Sequence, residues 1–184
     1  MSVGEILALS ATLAGKDGLA VDFRNNDVDY ADEEVGKFFD AYNLTISELN
    51  EEVEPLKNTE TLTSENGVYP YTAFSKNVLE IVSVESGGKA VPFVARPEYL
   101  ETNEREIVVN YVYAPEKATK TTDPCAYNDR LLSSRLIAKA VAAEFLLTAG
   151  LFEEAVALRS AFEDGVTARA LKKKRAKIKR RVWA

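Results

Sequence analysis

The apolar residues of this chain change their repeat twice. From Val35 to Val53 they recur every three or four positions, as Val35, Phe38, Phe39, Tyr42, Ile46, Leu49 and Val53. Near the other end Leu132, Leu136, Ala140, Ala143 and Leu147 follow the same rule. Between these stretches the repeat falls to two: Ile107, Val109, Tyr111 and Tyr113 alternate with Glu106, Val108, Asn110 and Val112. A repeat near 3.6 gathers side chains on one face of a helix, a repeat of two gathers them on one face of a strand, and neither pattern suits the other backbone. The expected fold class is therefore α+β, mainly helical: an antiparallel helix bundle with an inserted small antiparallel β-unit and an extended basic C-terminal arm.

The punctuation of the chain sets the expected boundaries. Residues 1–56 supply the N-terminal helices, 57–116 the β-unit, 117–170 a C-terminal helical hairpin and 171–184 a basic arm. Ser2 and Glu5 form a capping box, Ile6, Leu9 and Leu13 follow at helical spacing, and Gly15 and Gly18 end this helix. Residues 19–32 read as an acidic loop carrying Asp22, Asp27, Asp29 and Asp32. Asp27 and Asp29 fit a calcium ladder, but Ala31 does not and no central glycine follows, so no metal is expected. Solvated acids and a helix N-cap account for them better. Asp32, Glu33 and Glu34 open the second helix and Pro55 stops it.

Inside the β-unit, Thr59, Thr61 and Thr63 alternate, and Asn66-Gly67 marks a tight turn. Val78 to Val84 is closed by Gly87-Gly88, and a short piece at Val91, Phe93 and Val94 is cut by Pro92 and Pro97. A polar connector from Pro115 to Pro124 leads to a helix that starts at Asp129 or Ser133 and is buried on most sides. Ala149-Gly150 breaks it, and a fourth helix runs from Phe152 to about Ala170, with Glu153 and Glu154 in its first turn.

Composition narrows the chemistry. The 184 residues include no histidine, which removes the commonest general base and the commonest transition-metal ligand. The single cysteine, Cys125, permits no intrachain disulfide and no thiolate cluster. No phosphate-binding glycine loop carries a lysine, and carboxylate pairs such as Glu51 and Glu52 fall on a polar helix face. No enzyme and no cofactor are expected. The opening residues lack the basic stretch of a secretory signal, and no apolar run is long enough for a membrane, so synthesis in the cytoplasm is expected.

Charge is divided unevenly. Arg169, Lys172, Lys173, Lys174, Arg175, Lys177, Lys179, Arg180 and Arg181 are nine of the 23 basic residues, and no acid accompanies them. The other 14 face all 29 acids, so residues 1–168 sum to −15. Such a tail suits contact with DNA, docking on an acidic protein, or a solvated arm. The chain's one tryptophan, Trp183, lies in it beside Val182 and favours docking, because inserted arms use aromatics as anchors. A helix-turn-helix around Gly150 is disfavoured, since Glu153 and Glu154 would meet phosphate at the start of its second helix.

The order of helix, long amphipathic helix, β-insert, two helices and basic tail resembles the head–tail connector adaptors of tailed bacteriophages, including the tail-tube adaptors of short-tailed phages. Local wording is similar too: Leu56-Lys57-Asn58-Thr59-Glu60-Thr61-Leu62-Thr63 leading to Tyr71-Thr72-Ala73-Phe74-Ser75, then Ala143-Glu144-Phe145-Leu146-Leu147, Gly150-Leu151-Phe152-Glu153-Glu154-Ala155 and Arg180-Arg181-Val182-Trp183. The resemblance covers residues 30–184 and implies a virion protein made in the host cytoplasm. Its implied partners are further copies in a ring, commonly of twelve, the portal protein, tail or tail-tube proteins, and packaged DNA contacted without sequence specificity. It places portal docking on Arg169 to Ala184. The alternatives are another head- or tail-completion protein, or a small nucleic-acid-binding protein acting through the tail.

Overall fold

A computed structural model describes residues 1–128, 130 and 132–176, and of 172–176 the backbone alone. The fold is mixed α+β with antiparallel sheets. The chain divides into two compact units: Ser47–Glu116, and the remainder made of Met1–Ile46 with the chain from Lys117 onward.

The first unit is helical. Helix α1 (Val3–Leu13) is opened by the full capping box, with the Ser2 hydroxyl accepting from Glu5 N at 3.3 Å and Glu5 Oε2 accepting from Ser2 N at 2.8 Å. Its first two N–H groups donate to the Asp123 and Thr121 carbonyls, so the polar connector satisfies donors that the helix itself cannot. The buried face is Val3, Gly4, Ile6, Leu7, Ala8, Ser10 and Ala11. Leu9 and Leu13, expected in the stripe, are instead partly exposed. Small residues line the face because α1 packs against both α2 (Asp17–Asn25) and α4 (Ser134–Thr148), and short side chains let backbones approach.

Helix α2 corrects the acidic-loop reading. Gly18 and Asp22 lie inside it, and Ala20 and Phe23 are buried from it. Non-helical chain is confined to the segment after Asn26, a left-handed residue that ends α2. There Asp29 Oδ1 accepts from Ala31 N and Asp32 Oδ1 from Glu34 N, so two of the loop acids cap turns.

Helix α3 (Glu33–Glu48) buries Val35, Phe38, Phe39, Ala41, Tyr42, Thr45 and Ile46. Phe38 stacks on Phe145 of α4 with ring centroids 3.9 Å apart, and Phe23 meets Phe38 edge-on at 5.6 Å. Ser133 caps α4 by accepting from Leu136 N; a start at Asp129 lies outside the described residues. Ile137, Ala138, Ala140, Val141, Ala142, Ala143, Phe145 and Leu146 are all buried, as a helix enclosed on most sides requires. Its stripe is displaced from the expected one: Leu136 is half-buried and Leu147 is 39% exposed.

The second unit begins at Ser47, and at Leu49–Val53 the helix widens into a π-helical turn. Buried Asn50 fixes this end, accepting from Leu56 N at 2.7 Å and donating to the Tyr113 carbonyl at 3.1 Å. Two antiparallel sheets follow rather than one. In the first, β1 (Lys57–Thr63) pairs with β7 (Glu106–Tyr113), β7 with β3 (Val78–Ser86), and β3 with the short β4 (Lys89–Ala90). In the second, β6 (Tyr99–Glu101) lies between β2 (Val68–Pro70) and β5 (Val94–Ala95). Asn66-Gly67 therefore turns the chain from one sheet to the other instead of closing a hairpin. Gly87-Gly88 does close one, between β3 and β4.

The core of this unit is Tyr69, Phe74, Val84, Leu100, Ile107, Val109 and Tyr111. Three of these come from alternate positions of β7, as its repeat demands. Strand β3 carries two register shifts, which leave Leu79 and Val82 as extra residues, both about half exposed at 53% and 47%.

Candidate functional site

The residues expected to dock lie at the end of α5 (Phe152–Ala176) and beyond it. The helix follows α4 through a three-residue link, Ala149, Gly150 and Leu151. Gly150, at φ 77°, is the left-handed residue there; its N–H donates to the Leu147 carbonyl and that of Leu151 to the Leu146 carbonyl. This paired closure satisfies carbonyls at the end of α4 and sends α5 back along it, and the two helices pack closely. Ala155 and Phe162 are buried from α5, and Gly165 lets it approach α4: a Cβ there would stand 2.5 Å from Leu136 Cδ1.

Helix α5 is longer than its periodicity suggests. It continues through Ala176, so the basic segment begins as helix rather than as an extended arm at 171. Arg169 is half-buried on it. Lys172, Lys173, Lys174 and Arg175 lie within its backbone span. Lys177, Lys179, Arg180, Arg181 and Trp183 lie outside the described residues.

The charge of α5 runs from one sign to the other. Its first half holds Glu153, Glu154, Glu163 and Asp164 against Arg159 alone. Its second half holds only cations. This order matches the helix dipole, positive at the start and negative at the end, and helps a helix with little apolar patterning to persist for 25 residues. Arg159 is engaged inside the unit, with Glu144 at 3.1 Å and Glu163 at 3.4 Å. Glu153, Glu154 and Asp164 form no salt bridge among the described residues.

Beside the acids lie apolar side chains that face water. Phe152 and Val156, one turn apart, are each 64% exposed, and Leu151 and Leu147 adjoin them at the turn. At the cationic end Leu171 is 54% exposed. The sequence pattern assigned Leu147 to the core and left the others unassigned. Phe152 and Val156 at i, i+4 beside buried Ala155 were the available signal, but apolar spacing alone does not say which face meets protein.

Among the described residues no group of three acids or thiols could hold a metal. Tyr42 is buried, and burial followed by its contact with Cys125 pushes its phenol far above the ordinary range, so it stays protonated. An open hollow lined by Met1, Glu5, Ala8, Leu9, Arg24 and Ser134 has as its one acid Glu5, committed to the capping box. No helix of the described residues is long and apolar enough to cross a membrane.

No protein-family model matches the chain, and comparison with curated proteins returns no match.

Proposed function

We propose that this protein is a structural component of a tailed-phage virion: a head–tail adaptor that forms a ring between portal and tail and extends the DNA channel. In this reading it is not an enzyme. The helical unit acts as a bundle, the β-unit as an insertion, and the cationic segment as a docking arm that starts in the last turns of α5. The observation that carries the reading is charge segregation, a body of net −15 at 1–168 joined to a segment with nine cations, no acid and Trp183. Such a body would line a channel that repels DNA and lets it slide, while the arm supplies the opposite sign for a neighbouring protein. The resemblance to connector adaptors described above points the same way.

Electron microscopy of the purified protein, alone and with portal, tests this. Rings that seat on the portal are expected, and deletion of residues 170–184 should abolish seating. A truncated protein that still assembles onto portals, or a full-length one that ignores them, overturns the reading. The cationic segment itself favours a second reading, a small nucleic-acid-binding protein. DNA affinity that falls steeply with salt, without portal binding, would establish that alternative.

A further inference from the structure

We infer that the acidic, apolar start of α5 is a docking surface for the cationic end of α5 from a second copy of this chain. The inference deepens the ring reading and rests on it for closure of the contacts into a ring, while the contact itself is argued from α5 alone.

The two ends are complementary. One presents Glu153 and Glu154 around exposed Phe152 and Val156; the other follows exposed Leu171 with a run of four cationic residues in the sequence, Lys172, Lys173, Lys174 and Arg175, within the helical backbone. Opposite charge steers and orients the approach, and the apolar side chains give it area to bury. Within one copy the ends cannot meet. The helix separates the two groups, centred about nineteen residues apart, by roughly 28 Å on one continuous element. A pairing of the two ends therefore needs a second molecule. A contact between two different surfaces is heterologous, the kind that repeats from copy to copy and closes into a ring when its rotation permits.

Charge exchange in the full-length protein tests this, read by sedimentation velocity over a range of concentrations. The wild type should self-associate, less so as salt rises. E153K/E154K and K172E/K173E should each weaken association by about tenfold or more, and the two combined should restore it. F152S, which leaves charge unchanged, should weaken it as well. Circular dichroism checks that each variant is folded, and if one reversal unfolds the chain the opposite reversal and F152S still decide. A wild type that stays monomeric, one-sided reversals that associate normally, or a combined variant that fails to recover each overturn the inference. Portal capture is scored separately. Salt-sensitive, charge-exchangeable association without portal binding removes the adaptor reading and keeps this contact; portal binding without it does the reverse.

Discussion

At Gly67 two demands coincide. Its φ of +72° is a conformation L side chains rarely adopt, and a Cβ would overlap the Thr102 carbonyl oxygen, on a strand end whose amide already donates to Gly67 O. Gly67→Ala should cost about 2–4 kcal/mol, seen as a lower urea midpoint for the β-unit. Asp123 is a second position where one side chain organises its surroundings. Its carboxylate accepts from Thr119 N and Lys120 N, both at 2.9 Å, and these bonds hold its pKa below the ordinary 3.8. A depressed folded pKa means the contribution is complete above 3.8 and disappears as pH falls through the folded value. Carbon-detected NMR should therefore find Asp123 titrating below a free aspartate, and D123N should remove the acid sensitivity of the 119–123 turn.

Among the elements, α4 depends on the packing of its apolar rings and alanines. Phe145 is 2% exposed and stacked on Phe38, so Phe145→Ala should destabilise the helical unit by about 3–5 kcal/mol in a chemical melt. The elements readable from the chain were those with a single strong signal. Ser2 and Glu5 announced α1; Ser133, one of the two starts the sequence offers beside Asp129, caps α4; and the alternation of Ile107, Val109 and Tyr111 announced β7. Where small side chains carry much of the contact, periodicity misleads. The face of α1 joins Gly4, Ala8, Ser10 and Ala11 to Val3, Ile6 and Leu7, so Leu9 and Leu13 fall outside it. Helix α2 escaped because it buries only Ala20 and Phe23 among charged neighbours. The second sheet escaped because its strands span two or three residues, too few for alternation to show. At the candidate surface the charges were legible as composition. The exposure of Phe152 and Val156 was not, since it is fixed by which side of α5 meets α4.

For the molecule as a whole, stability and association should separate. The buried residues of α5, Ala155 and Phe162, lie well before residue 170. Removal of 170–184 should therefore leave the thermal midpoint within a few degrees of the full chain by circular dichroism, because exposed helix ends contribute little. The same cut strips away eight cations and no acid, taking the net charge from −6 to −14, so the shortened protein should bind anion exchangers more strongly.

A ring of the kind proposed above would bring many copies of the sheet close together. Strand β4 covers only Glu85 and Ser86 of β3, and the rungs before them carry the irregularities at Leu79 and Val82. A flat, regular margin would be a template on which crowded neighbours could zip into fibrous ribbons. Two misfitted rungs so close together break the spacing that such growth needs.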